Sequence, residues 1–229
     1  MRVQTNGSRA RKKYGSSLRQ RIAKKSTEIK VALTLEDNEK VFNLLSADHF
    51  DIKNLRQLIP LLTARELQAL KGFMLEKERY DIVISFFYHN KVHSADKPAL
   101  GKLENGALFK LMRVALKQNA KDVFNDVFRA VDKQKQDSLL LIARQRKEYR
   151  TYLFLIQAAL QDDPDRNKLS SRCELGLDKL KNNEIFNLIY MARKHGAKDV
   201  LNYVFSALTE EKQNALLEMA LGKMEYDVF

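Results

Sequence analysis

The sequence predicts an all-α protein: an α-solenoid of stacked helix–turn–helix units, in three copies of a four-helix module about 77 residues long. Three observations predict it. Asn105 to Tyr149 overlays Asn182 to Tyr226 at a shift of 77 without gaps, and 20 of the 45 aligned positions are identical. Leu62 to Val83 matches Leu208 to Phe229 more faintly, which adds a third copy. Finally, Leu, Lys, Ala and Glu dominate, with only three Pro and eight Gly in 229 residues, so turn-rich β architecture is excluded.

In order along the chain, residues 1 to about 16 have almost no apolar content and are expected to be disordered and dispensable for folding. Leu18, Ile22 and Ile29 form a weak helical stripe among Arg19, Arg21, Lys24 and Lys25. Residues 1–30 therefore read as a basic arm and 31–229 as the repeat domain, with copies at about 36–90, 104–160 and 181–229. In the first copy, pieces run from about Glu39, then Asn54 to Leu61, Ala64 to Leu75 and Tyr80 to Tyr88. An irregular connector with Pro98 and Gly101 is expected over His89 to Leu103.

In the middle copy, Phe109, Leu111, Met112 and Ala115 make one stripe, and Val123, Phe124, Val127 and Phe128 the next. Asp132 caps a third helix carrying Leu139, Leu140 and Ala143, and Tyr149 to Leu160 is the fourth. A second connector, Gln161 to Lys181, is long enough for a surface loop or a short extra helix. The last copy repeats the order. Ile185, Leu188, Ile189 and Ala192 end at Gly196, a glycine C-cap. Val200, Leu201, Val204 and Phe205 follow, then Thr209 caps a helix with Leu216, Leu217 and Ala220. Phe128 and Phe205 are expected at equivalent buried positions.

A fourth helix opens near Glu225, but only Asp227, Val228 and Phe229 follow Tyr226. This predicts either a piece of a longer protein or self-association through the C-terminal repeat face.

Ala192 to Leu208, ARKHGAKDVLNYVFSAL, resembles the centre of an ankyrin repeat: Ala192 in the inner helix, Gly196 at its end, and Val200, Leu201, Val204 and Phe205 in the outer helix. Ala115, Val123, Phe124, Val127 and Phe128 take those roles one copy earlier. The units are degenerate: the threonine-proline-leucine-histidine opening is absent, and aligned alanines are spaced 28 within a copy and 49 between copies. Such arrays are similar in style to effector proteins of intracellular bacteria. The resemblance implies protein–protein recognition, with the host-cell cytosol or nucleus as the place of action.

The charge is lopsided. Residues 1–30 hold ten Lys or Arg against Glu28 alone, so nine of the twelve net positive charges lie there. Arg9, Arg11, Lys12 and Lys13 could contact nucleic acid or anionic lipid, or act as a targeting signal. Lys121-Asp122 and Lys198-Asp199 recur at the same place in two copies, as a repeated partner contact or as helix-terminal charge pairing.

No phosphate loop, zincin helix, nucleophile elbow or kinase signature is present, and no cofactor is expected. His89 and His93 read as a polar helix end rather than a metal pair, and Asp162, Asp163 and Asp165 as a solvated turn without the remaining ligands of a calcium loop. Cys173 with His195 has no local support as a nucleophile pair. A single cysteine, no signal segment and no apolar run of about 20 residues fit a soluble protein of a reducing, cytoplasmic compartment. These features predict a non-enzymatic scaffold for a protein partner, with nucleic-acid or anionic-surface binding by the arm as the alternative.

Overall fold

The structure, a computed structural model, describes residues 59–162 and 176–222, with isolated helical positions between residues 24 and 44. The basic arm cluster, Cys173, Asp163, Asp165 and the segment after residue 222 lie outside the described residues. Among those described, every regular element is helical and no strand occurs. The chain divides into two compact units, 1–96 and 97–229.

In the first unit, α1 (Ala64–Glu76) follows a short 3-10 turn at Ile59–Leu61. Thr63 opens it with a capping box: its hydroxyl accepts the Glu66 N–H at 3.3 Å, and the Glu66 carboxylate accepts the Thr63 N–H at 2.7 Å. After a tight turn, α2 (Tyr80–Asn90) buries Ile82, Val83, Ile84, Phe86 and Phe87. A 3-10 turn, Ser94–Asp96, then packs back on α1 through the ion pair of Asp96 and Lys71, 2.5 Å apart with side chains 2% and 4% exposed. The Lys71 ammonium also lies 5.5 Å from the centre of the Phe87 ring. Asp96 accepts the His93 N–H at 2.8 Å, so the carboxylate is satisfied from two sides, as burial of a charge demands.

The second unit opens with a correction to the expected irregular connector. Lys97–Lys102 is a helix, α3, with Pro98 in its first turn, where the missing N–H would be unpaired anyway. There follow α4 (Asn105–Lys117), α5 (Lys121–Ala130), α6 (Lys133–Gln145), α7 (Tyr149–Asp162), α8 (Asn182–Lys194), α9 (Lys198–Ala207) and α10 (Glu210–Gly222). The limits of α8, α9 and α10 are those of α4, α5 and α6 moved by 77 residues. The second connector carries a 3-10 turn, Leu177–Lys179, entered through Gly176. Gly176 has φ +70°, a left-handed conformation that favours glycine, while the Arg144 guanidinium beside it is the end of a flexible side chain.

One turn type recurs. Helices α1, α4, α6 and α8 end with Glu78, Asn119, Lys147 and Gly196 in the left-handed region, at φ 53°, 56°, 55° and 66°. In each, the next N–H reaches back five residues: Arg79 to Met74 O, Ala120 to Ala115 O, Glu148 to Ala143 O, Ala197 to Ala192 O, at 2.8–2.9 Å. This is the Schellman closure. Among the described residues, the expected glycine cap at Gly196 is one of four such turns, and the other three use residues with a Cβ.

The opposite corners are sealed by the repeated Lys-Gln pair. Asp132 and Thr209 cap α6 and α10 as expected, accepting the N–H of Lys135 at 2.8 Å and of Lys212 at 3.4 Å. Lys135 Nζ donates to Leu103 O at 2.5 Å, and Lys212 Nζ to Leu180 O at 3.3 Å. Gln136 Nε2 donates to Phe128 O and Val131 O, and Gln213 Nε2 to the equivalent Phe205 O and Leu208 O.

At the centre lies α7. From Tyr152 to Ile156 and again from Ala158 to Leu160 its side chains are buried, because α5, α6, α8 and α9 all pack on it. Two expected core positions differ. Phe128 is fully buried but Phe205 only half-buried, and Leu140 is 3% exposed where the equivalent Leu217 is 45% exposed. Leu217 differs for a positional reason: among the described residues, α6 packs on both α4 and α7, whereas α10 packs on α8.

Candidate functional site

Three tight turns in the second unit come together at one edge: α4–α5, α6–α7 and α8–α9. Side-chain contacts join them. Arg150, in the first turn of α7, donates to Leu116 O near the end of α4 at 3.4 Å. Lys121, at the start of α5, holds its ammonium 5.0 Å from the centre of the Phe154 ring. On that same ring, His195 from the end of α8 packs with centroids 5.5 Å apart.

This edge concentrates positive charge. Residues 117–122, 146–150 and 193–199 hold Lys117, Lys121, Arg146, Lys147, Arg150, Arg193, Lys194 and Lys198 against Asp122, Glu148 and Asp199. That excess of five exceeds the net three positive charges of the whole chain beyond residue 30. The turns at the far ends, 130–135 and 207–212, balance Lys133, Lys135 and Lys212 against Asp132, Glu210 and Glu211. Cations at the C-terminal ends of α4 and α8 suit the helix dipole. Lys121, Arg150 and Lys198 do not: they stand in the first turns of α5, α7 and α9, where the dipole disfavours a cation.

Between the turns lies an open cleft of about 620 Å³, walled by the end of α4, the start of α7 and the middle of α8. Its floor includes the buried Leu116 and Thr151. Tyr149 and Tyr190 stand at its sides, and Tyr190 leaves 45% of its surface exposed. Glu148 is held twice, by Arg113 Nε at 3.0 Å and by the Thr151 hydroxyl at 3.3 Å. Lys117 and Arg150 flank the opening and are exposed. Burial pushes the Tyr149 phenol above its ordinary pKa, with Glu184 adding to the rise, while a hydrogen bond with Asn187 works against it. The His195 imidazole is pushed below its ordinary pKa, first by burial and then by Arg150, Lys121 and Lys194, which together disfavour the charged ring.

The expected repeated contacts are placed as follows. Lys121, Asp122, Lys198 and Asp199 are all exposed, in the first turns of α5 and α9. Lys121 thereby joins the edge and the cleft's neighbourhood. Arg9, Arg11, Lys12 and Lys13 lie outside the described residues. His89 packs edge-on against Tyr88, with centroids 5.5 Å apart, at the end of α2. No group of three or more His, Cys, Asp or Glu side chains gathers as a metal site among the described residues. No helix among them is long and apolar enough to cross a membrane.

Sequence reasoning missed Lys117, Arg150, Tyr149 and Tyr190, since they belong to three different helices. The signal that could have found Arg150 is a cation set against the dipole in a helix first turn. Comparison with known proteins finds no matching family model, no similar curated protein and no similar solved structure. The site's own geometry and charge therefore carry the functional reading.

Proposed function

We propose that the chain is a non-enzymatic protein-interaction scaffold: an α-solenoid of degenerate ankyrin-like hairpins in three copies, recognising an acidic partner through the edge of tight turns. The observation that supports this most is the charge segregation at that edge, with Lys121, Arg150 and Lys198 held where the helix dipole opposes them. The matched limits of α4–α6 and α8–α10 support the repeat reading, because helix hairpins that cannot bury both faces alone stack on their neighbours. The open cleft offers Tyr and Arg side chains, the types that dominate binding energy at protein interfaces.

The test compares two variants of the full chain in partner capture from cells, with nuclease present: deletion of residues 1–30, and the triple reversal Lys117→Glu, Arg150→Glu, Lys194→Glu. Captured proteins are expected to survive the deletion, to be lost on the reversal, and to bind again as purified components. Capture that depends on the arm alone, or on nucleic acid, would overturn the proposal in favour of the arm-led alternative through Arg9, Arg11, Lys12 and Lys13.

A further inference from the structure

The cleft between α4, α7 and α8 has a chemistry narrower than the edge around it. Its carboxylate is already engaged: Glu148 accepts from Arg113 at 3.0 Å and from Thr151 at 3.3 Å. Arg113 is thereby neutralised within the wall. The cations left over are Lys117 and Arg150, both exposed. Arg150 has a single long hydrogen bond of 3.4 Å to Leu116 O, which leaves most of its guanidinium fork unused. Between these two lie apolar groups: the buried Leu116, the half-buried Met191 and the exposed ring of Tyr190. A volume of about 620 Å³ is in the usual range for a compact ligand and holds a few side chains.

We infer that this cleft binds a short acidic peptide segment, seating an aliphatic side chain against Leu116, Met191 and Tyr190 while flanking Asp or Glu carboxylates pair with Lys117 and Arg150. The inference rests on the protein-interaction reading above. A bidentate carboxylate suits the planar guanidinium of Arg150, and Lys117 supplies a mobile second charge. The apolar floor distinguishes a peptide from a free anion, which would leave it wet. The alternation of sign distinguishes it from a polynucleotide. Phosphodiesters need successive neutralisation, and the cleft sets Glu148 and apolar groups among its cations.

The test is a display selection of random 12-residue peptides on the full chain, followed by fluorescence anisotropy with the enriched peptides made synthetically. Poly(U) 20-mer and phosphatidylserine vesicles run in parallel. Selected peptides are expected to combine Asp or Glu with Leu, Ile or Met. Their binding should weaken on the order of ten-fold in Arg150→Glu and again in Lys117→Glu. Tyr190→Ala should weaken it, and Lys133→Glu at the opposite end should not, with circular dichroism confirming that each variant is folded. Acidic peptides that bind all these variants equally would overturn the cleft assignment while leaving the interaction reading in place. Selection of no peptide, or of peptides without acidic residues, would overturn the inference. Binding of poly(U) or vesicles in place of peptides, lost in Arg150→Glu, would overturn both the inference and the reading beneath it.

Discussion

Replacing Gln136 with Leu should destabilise the second unit by about 2 kcal/mol. The last four carbonyls of a helix have no partner within it. At the end of α5 no left-handed turn supplies one, because Val131 is extended at φ −98°, ψ 157°. The partner comes from α6: Gln136 Nε2 donates to Phe128 O at 3.1 Å and, at the limit of hydrogen-bond geometry, to Val131 O at 3.5 Å. Only 8% of Gln136 is exposed, so water cannot take over. Losing the good bond removes about 1 kcal/mol, and the stranded carbonyl costs a further ~1–3 kcal/mol. Leu has nearly the same volume and returns about 1 kcal/mol through its buried apolar surface. Gln213→Leu should act in the same direction but more weakly, since Gln213 is only half-buried. The assay is a urea titration, with amide exchange along α5 to detect local opening, because local and sub-global openings need not register in the global transition. Wild-type behaviour of Gln136→Leu would refute the reasoning. So would a Gln136→Glu variant no worse than Leu, since it sets a carboxylate against two carbonyls.

Two further outcomes follow from the backbone and from charge. Lys147→Gly and Glu78→Gly should each raise stability by about 0.5–1 kcal/mol, because a Cβ in the left-handed region costs ~1–2 kcal/mol and glycine's extra unfolded freedom returns only part of that. Gly196→Ala should lower it by about 1 kcal/mol, and thermal melts check all three. For His195, burial and three cations hold the folded pKa below the ordinary value of about 6.5. The folded state therefore binds fewer protons than the unfolded one, and stability should fall as pH drops below about 6.5 towards the folded pKa, while staying constant above it. Imidazole titration by NMR, with His195→Gln losing this component, checks the sign.

The helices were legible where one signal decides them. Periodic apolar residues marked α4 to α10, and Asp132, Thr209 and Gly196 marked ends that the structure places at those residues. The left-handed turns at Glu78, Asn119 and Lys147 were not legible, because without glycine the turn has no local signature. The short helix Lys97–Lys102 was hidden by Pro98 and Gly101, which usually punctuate loops. Phe205 and Leu217 had the right residue types for a core, but burial depends on a covering helix, and that is a property of neighbours. The cleft was the least legible feature. Lys117, Arg150 and Tyr190 each look like ordinary surface residues of their own helices, and only the closeness of three turns makes them one site.

The tight turns also connect stability to the proposed recognition. Each Schellman turn needs one left-handed residue, and glycine meets that need at least strain. At the α6–α7 turn the chain holds Lys147 there instead, between Arg146 and Glu148 on the cationic edge. The helix gains little from this choice, since a C-terminal cation on the surface contributes only ~0.3–1 kcal/mol through the dipole. That is no more than the strain it introduces, so stability alone does not favour lysine over glycine at 147. An acidic partner would. Electrostatic attraction of a carboxylate-rich segment depends on the summed field of the edge, and each cation removed lowers the association rate most at low salt. Lys147→Gly should thus separate the two roles: a more stable protein that captures its acidic ligand more slowly, with the difference vanishing as salt rises. Equal capture rates at low salt would show that Lys147 serves the turn alone.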